Sequence, residues 1–158
     1  TIMSKSLKRV KAALEAAGLA SEVLEMPVST RTAAEAASAA GCDIDQIAKS
    51  IIFRGESSDQ VHLFITAGGN RVDPAKAAAC AGEALGRADA AFVREATGFA
   101  IGGVAPVGHL NSPRVFFDPR LLDFGTIHAA AGTPRHVFPT APTDLLRITG
   151  AEVTEFTL

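Results

Sequence analysis

Apolar and polar positions along this chain follow first a helical and then a strand period. Leu7, Val10, Leu14 and Ala17 recur at the spacing of one helix face, and Gly18 supplies the stop. In "SEVLEM", Val23 alternates with Glu22 and Glu25, which predicts a short strand. Thr32 and Glu35 make a capping-box pair that opens an alanine-rich helix closed by Gly41, and Asp43 with Gln46 repeats the pattern at smaller scale. "AKSIIFRG", Ala48 to Gly55, then reads as a strand. Its alternation puts Lys49 on the same face as Ile51 and Phe53.

"GESSD" is a turn between that strand and "VHLFIT", which predicts a hairpin broken at its far end by "GGN". Asp73 before Pro74 caps a helix through about Ala79. Asp89 to Gly98 reads as another helix, with Phe92 and Val93 buried. "RVFFD" is a strand and "PRLLDFG" a single helical turn. "TIHAAAGTPRHVF" is a strand turned at Gly132, Thr133 and Pro134. Thr143 or Asp144 caps a last short helix, and "EVTEF" ends the chain as a strand. Strands and helices mix without a βαβ rhythm, so the expected fold is mixed α/β, with a mixed or antiparallel sheet and peripheral helices.

Composition narrows the class. The 158 residues suit a single domain spanning 1–158, and 47% apolar with 20% charged residues matches a soluble globular protein. No apolar run is long enough to cross a bilayer and no signal-peptide pattern is seen, so a cytoplasmic location and no membrane partner are expected. Cys42 and Cys80 stand apart without a CxxC pair, against a disulfide framework or thiolate zinc site. A net charge of −2 is not that of the basic domain nucleic acid usually selects, and the chain shows no helix-turn-helix with a basic second helix for DNA. Charge is nevertheless uneven: Lys5, Lys8, Arg9 and Lys11 precede the first acid, Glu15. Cations near a helix N-terminus oppose the macrodipole, so this stretch is either a solvated face or a phosphate contact.

Familiar catalytic signatures are absent. There is no G-x-S-x-G, Walker loop or H-E-x-x-H, and His62, His109, His128 and His136 lack the i, i+4 spacing of a metal face. No metal and no cofactor are expected. Two features remain. Lys49 either snorkels along apolar surface or waits in a cleft for a carboxylate, phosphate or carbonyl oxygen. "GFAIGGVAPVGH", Gly98 to His109, is either a plain turn or a preformed loop whose N–H groups hold an oxyanion.

"QIAKSIIF", "GFAIGGVAPVGH", "RVFFDPRLL" and "AAAGTP" together resemble the YbaK/prolyl-tRNA-editing family of free-standing deacylases, over roughly Leu14 to Phe156. The resemblance implies a central mixed or antiparallel sheet rolled toward a barrel and flanked by helices. It implies hydrolysis of the ester joining a wrong amino acid to tRNA, without metal or cofactor. By position the family's strand lysine falls on Lys49, with Ser50 beside it. Its GxxxP loop falls on Gly102, Gly103, Val104, Ala105 and Pro106, with His109 just beyond and Gly132 in a late glycine segment.

On that resemblance the expected partner is mischarged aminoacyl-tRNA, chiefly tRNA(Pro) carrying Cys or Ala, with prolyl-tRNA synthetase as a further partner. Lys49 would hold the terminal phosphate or ribose, and N–H groups around Gly102 and Gly103 would hold the carbonyl oxygen. Phe53, Ile101, Val104 and the residues near Gly132 are candidates for the pocket wall. A local patch of Lys5, Lys8 and Arg9 would meet the tRNA. The second reading is a non-catalytic module for a tRNA end or an amino-acid-like ligand; a DNA-binding regulator ranks third.

Overall fold

Local capping chemistry governs where the helices begin. The computed structural model describes residues 4–19, 22–27, 29–30 and 32–158. Helix α1, Lys5–Ala16, starts at Ser4, whose hydroxyl accepts from the Leu7 N–H. Helix α2, Ala33–Ala40, carries both bonds of the Thr32–Glu35 capping box and ends in left-handed Gly41. Asp43 and Gln46 frame a 3-10 turn, Ile44–Gln46, with the same reciprocal bonds. Helix α3, Pro74–Ala81, and helix α4, Ala90–Thr97, are capped by Asp73 and Asp89. Helix α5, Pro142–Thr149, begins earlier than the polar residues suggested. Ala141 occupies its cap position and has no side-chain acceptor to offer, while Pro142 in the first turn has no N–H to satisfy.

The strands are β1 Leu24–Glu25, β2 Ile47–Gly55, β3 Val61–Ala67, β4 Leu85–Arg87, β5 Arg114–Phe117, β6 Ile127–Ala130, β7 His136–Thr140 and β8 Glu152–Val153. The Ser21 end of the predicted first strand lies outside the described residues. β4 is too short to show a period, and only its pairing with β2 makes it a strand. The strands form one mixed sheet in the order β1-β7-β6-β2-β3-β5-β8, with β4 joining β2 off that path. β2 runs antiparallel to β3 and β4 and parallel to β6. β3–β5 and β5–β8 are also parallel.

Alternation along β2 feeds two cores. Ala48 and Ile52 join Leu63, Ile65, Phe117, Ile127 and Phe138 on one face, covered by α1, α5 and the segment around Phe99. Ile51 and Phe53 pack on the other face against Phe64, Phe116, Phe156 and α3. Burying each such side chain contributes roughly 1.5–3 kcal/mol, so a one-residue slip of β2 would exchange both sets at heavy cost. Val93 is buried as expected, whereas Phe92 is half-exposed under the Arg54 guanidinium at 4.7 Å.

Candidate functional site

The central strand is left open along part of one edge. Gly55 N–H donates to the Gln60 carbonyl, so ladder parity turns the backbone groups of residues 53, 51 and 49 toward β3. Ser50 and Ile52 then direct theirs to the opposite edge. There β6 pairs only with Ile47 and Ala48, and β4 only from Phe53 onward. Ser50 therefore presents an N–H and a C=O to a gap that no strand among the described residues fills.

A cavity of about 250 Å³ occupies this gap. Lys49 and Ser50 of β2, Gly102 and Val104 of the glycine loop, and Thr133 of the β6–β7 turn all line it, with α2 along one side. Lys49 Nζ donates to the Gly68 carbonyl at 3.3 Å. That carbonyl belongs to a turn held by carboxylates. Asp118, 2% exposed, accepts from the Ala67 N–H at 3.0 Å and the Asn70 amide at 2.9 Å. Asp45 accepts from the Gly69 N–H at 2.8 Å and from Arg120 at 3.0 Å. Burial lowers the Lys49 pKa below the usual lysine range and the nearby Arg71 cation lowers it further, while Asp118 and Asp45 oppose the shift.

The glycine loop divides between two sides of the molecule. Gly102, at φ +93°, and Val104 face the cavity. Gly103 N–H is taken by the Ala100 carbonyl at 3.0 Å, and a Cβ there would stand 2.9 Å from the Thr133 backbone. The Gly102 and Val104 N–H groups find no backbone acceptor among the described residues. Ala105 is fully buried in the main core.

Pro106 and His109 line a different cavity, of about 340 Å³, beside α1 and α5. His109 Nε2 donates to the Ala105 carbonyl at 2.6 Å, and burial lowers its pKa. Gly132, at φ +98°, lies under α1, where a Cβ would meet the Ser6 carbonyl at 2.9 Å. Of the expected wall residues, Val104 and Thr133 beside Gly132 line the cavity, joined by Ile51, whereas Phe53 packs into the second core and Ile101 is 57% exposed.

Other residues enter the site that no local signal announces. His128 and His136 both line the cavity, brought together by the β6–β7 pairing. His136 Nδ1 and the Thr133 hydroxyl share a hydrogen bond of 2.6 Å. His128 Nδ1 is buried without a partner among the described residues, and burial lowers the pKa of that ring. Among the described residues no three His, Cys, Asp or Glu side chains group as metal ligands.

Elsewhere Ser58, His62 and Glu83 sit together, but the carboxylate stands in the middle. It accepts from Ser58 Oγ at 2.7 Å and bonds His62 Nε2 at 2.9 Å. A nucleophilic triad needs the imidazole between the other two groups, so this cluster is a hairpin clasp. Its hydrogen bonds, led by Ser58 and His62, hold the Glu83 carboxyl down at about 2.

A sequence model of the aminoacyl-tRNA editing domain matches residues 28–148. YwhH of Bacillus subtilis (strain 168), an uncharacterized protein, is 33% identical over 148 residues, 94% of each chain. A crystal structure of a "putative trans-editing enzyme for prolyl tRNA synthetase" superposes with a TM-score of 0.92 at 45% identity, covering 99% of both chains. The hypothetical protein APE2540 superposes at 0.87 with 29% identity, over 95% of this chain and 99% of the other. Among the described residues no helix is long and apolar enough to cross a membrane.

Proposed function

The chain belongs to the aminoacyl-tRNA editing domain family, and from that premise we propose that it hydrolyses mischarged aminoacyl-tRNA in trans, chiefly tRNA(Pro) carrying cysteine or alanine. The observation that carries this reading is one cavity lined by Lys49, the unpaired edge at Ser50, and Gly102 with Val104. An aminoacyl ester is already activated, so its hydrolysis asks mainly for position and charge stabilisation.

In this reading Lys49 holds the terminal phosphate, with the Arg71 cation nearby adding positive field. The Ser50 carbonyl accepts from the substrate's α-ammonium. The Gly102 and Val104 N–H groups face the carbonyl oxygen as charge develops, because Gly103 has already committed its own donor. Water adds to the ester carbon, the bond to the ribose oxygen breaks, and that oxygen takes the proton to leave free amino acid and uncharged tRNA. A cavity of about 250 Å³ walled by Ile47, Ile51, Val104 and alanines suits a small side chain. The related structure's link to prolyl-tRNA synthetase supports tRNA(Pro) as the carrier and that synthetase as a partner.

The test is a deacylation panel with tRNA(Pro) charged with alanine, cysteine, serine or proline. Ester loss is expected for the alanine or cysteine species well above the proline species. No hydrolysis of any mischarged tRNA, where a related deacylase works, would overturn the reading.

A further inference from the structure

Helix α1 carries its charge in the reverse of the order a helix favours. Lys5 and Lys8 occupy its first two turns, Lys11 follows, the first turn holds no acid, and Glu15 sits near the end. Each lysine near the start stands against the positive end of the macrodipole. Nothing internal compensates them. Among the described residues Lys5, Lys8 and Lys11 are exposed and join no ion pair, whereas Arg54, Arg120 and Arg147 all have carboxylate partners.

Arg9, which the sequence groups with these lysines, points inward. It donates to the Gly108 carbonyl at 3.1 Å and the Gly98 carbonyl at 2.7 Å, and covers the Phe99 ring. Arg9 thus leaves the surface patch and fixes the helix. Ser6 donates to the Gly132 carbonyl at 2.8 Å, next to Thr133 of the cavity wall. The inner side of α1 is thereby docked on both loops whose other sides line the cavity. Its lysine side is the outward continuation of the same structure.

We propose that the lysine face of α1 binds the sugar–phosphate backbone of the tRNA acceptor stem while the aminoacyl end occupies the cavity. The proposal rests on the deacylase reading for the identity of the nucleic acid. Lys5 to Lys11 advances about 9 Å along the helix axis, enough to engage successive phosphates rather than a single one. The chain as a whole has a net charge of −2, so the attraction for a polyanion comes from a local run such as these three exposed lysines rather than from overall charge. Contact of this kind is independent of base sequence and sensitive to salt.

The test compares the intact protein with a Lys5→Gln, Lys8→Gln, Lys11→Gln variant. Binding of an uncharged acceptor-stem minihelix is measured across a salt series, a readout that needs no catalysis. Affinity is expected to fall about 10- to 100-fold, and the slope of log K against log salt to shrink by about 2 to 3. With mischarged tRNA, KM rises by a similar factor while kcat stays the same. With an aminoacylated CCA fragment, the two proteins have equal KM. A single Lys5→Glu change sharpens the point, because it should raise the thermal midpoint by relieving the dipole and still weaken minihelix binding.

Unchanged minihelix affinity and salt slope in the triple variant would overturn the proposal, even with deacylation intact. Equal weakening on the CCA fragment would also overturn it, by placing the lysines at the ester end. If the intact protein hydrolyses nothing but its lysine-dependent minihelix binding persists, the deacylase reading fails and the docking face stands.

Discussion

Two glycine turns serve the cavity, one by lining it and one by holding Lys49, and they are secured by opposite kinds of anchor. The Gly68–Asn70 turn is held by carboxylates, with Asp118 accepting from the Ala67 N–H just before it and from the Asn70 amide, and Asp45 from the Gly69 N–H. The Gly98–His109 loop is held by nitrogen donors, with Arg9 and His109 donating to its carbonyls. The first turn keeps a carbonyl for Lys49, and the second keeps N–H groups at Gly102 and Val104. Acceptor anchors consume N–H groups and donor anchors consume carbonyls, and each leaves the other kind of backbone group for the site. Several ionisable residues near the centre are thus structural fasteners.

The largest effect should come from removing the group that the first turn holds in the cavity. Lys49→Ala is expected to lower kcat/KM on the order of 10²–10³, with thermal midpoint and circular dichroism unchanged. A fully active variant would take Lys49 out of the site.

Next, the two anchors should fail differently. Asp118→Ala strands donors from Ala67, Asn70 and Arg120, and in denaturant unfolding should cost about 1–3 kcal/mol for each buried donor left unpaired. Through Gly68 it should also raise KM by loosening Lys49. Arg9→Gln removes bonds to Gly98 and Gly108, should cost about 1–3 kcal/mol, and should act on kcat by loosening the donor loop. Identical kinetic signatures from the two variants would erase the distinction drawn between the turns.

The smallest effect is one of pH. Burial puts the folded-state pKa of His109 below its ordinary value of 6.5. Between those values the unfolded chain binds the extra proton, so stability is full above about 6.5 and declines as pH falls through the folded pKa. Nδ1 explains the cost: it would gain a hydrogen in a buried position that offers no partner among the described residues. The thermal midpoint should therefore drop between pH 7.5 and 5.5. A His109→Gln variant should lose that step, and an unchanged step would assign it to another histidine, such as His128.

Much of this arrangement was legible in the chain. The Thr32–Glu35 and Asp43–Gln46 boxes, the Lys49 strand and its hairpin, and the bend at Gly132 all stand where their residues put them. Lys49 and the Gly102 loop were paired only through a family resemblance, and they line one cavity. His109 resisted reading because a histidine after a glycine loop looks the same whether it faces a ligand or the loop's own carbonyl. Arg9 resisted for the same reason: sequence places a cation on a helix but does not say which way it turns. Asp118 looked like the end of a strand, and its burial under the Gly68 turn depends on the parallel pairing of β3 with β5.

By itself the sequence determined the local elements, because caps, turns and periods rest on contacts within a few residues. It also determined which residues of β2 share a face, since alternation is a property of the strand alone. Only the tertiary structure decided that β6 and β4 reach β2 at opposite ends and leave the edge at Ser50 open. It alone decided that one side of the glycine loop serves the cavity while the other anchors to α1. Those outcomes depend on pairings between residues far apart in the chain, where no local propensity acts and the packing of the whole core selects the register.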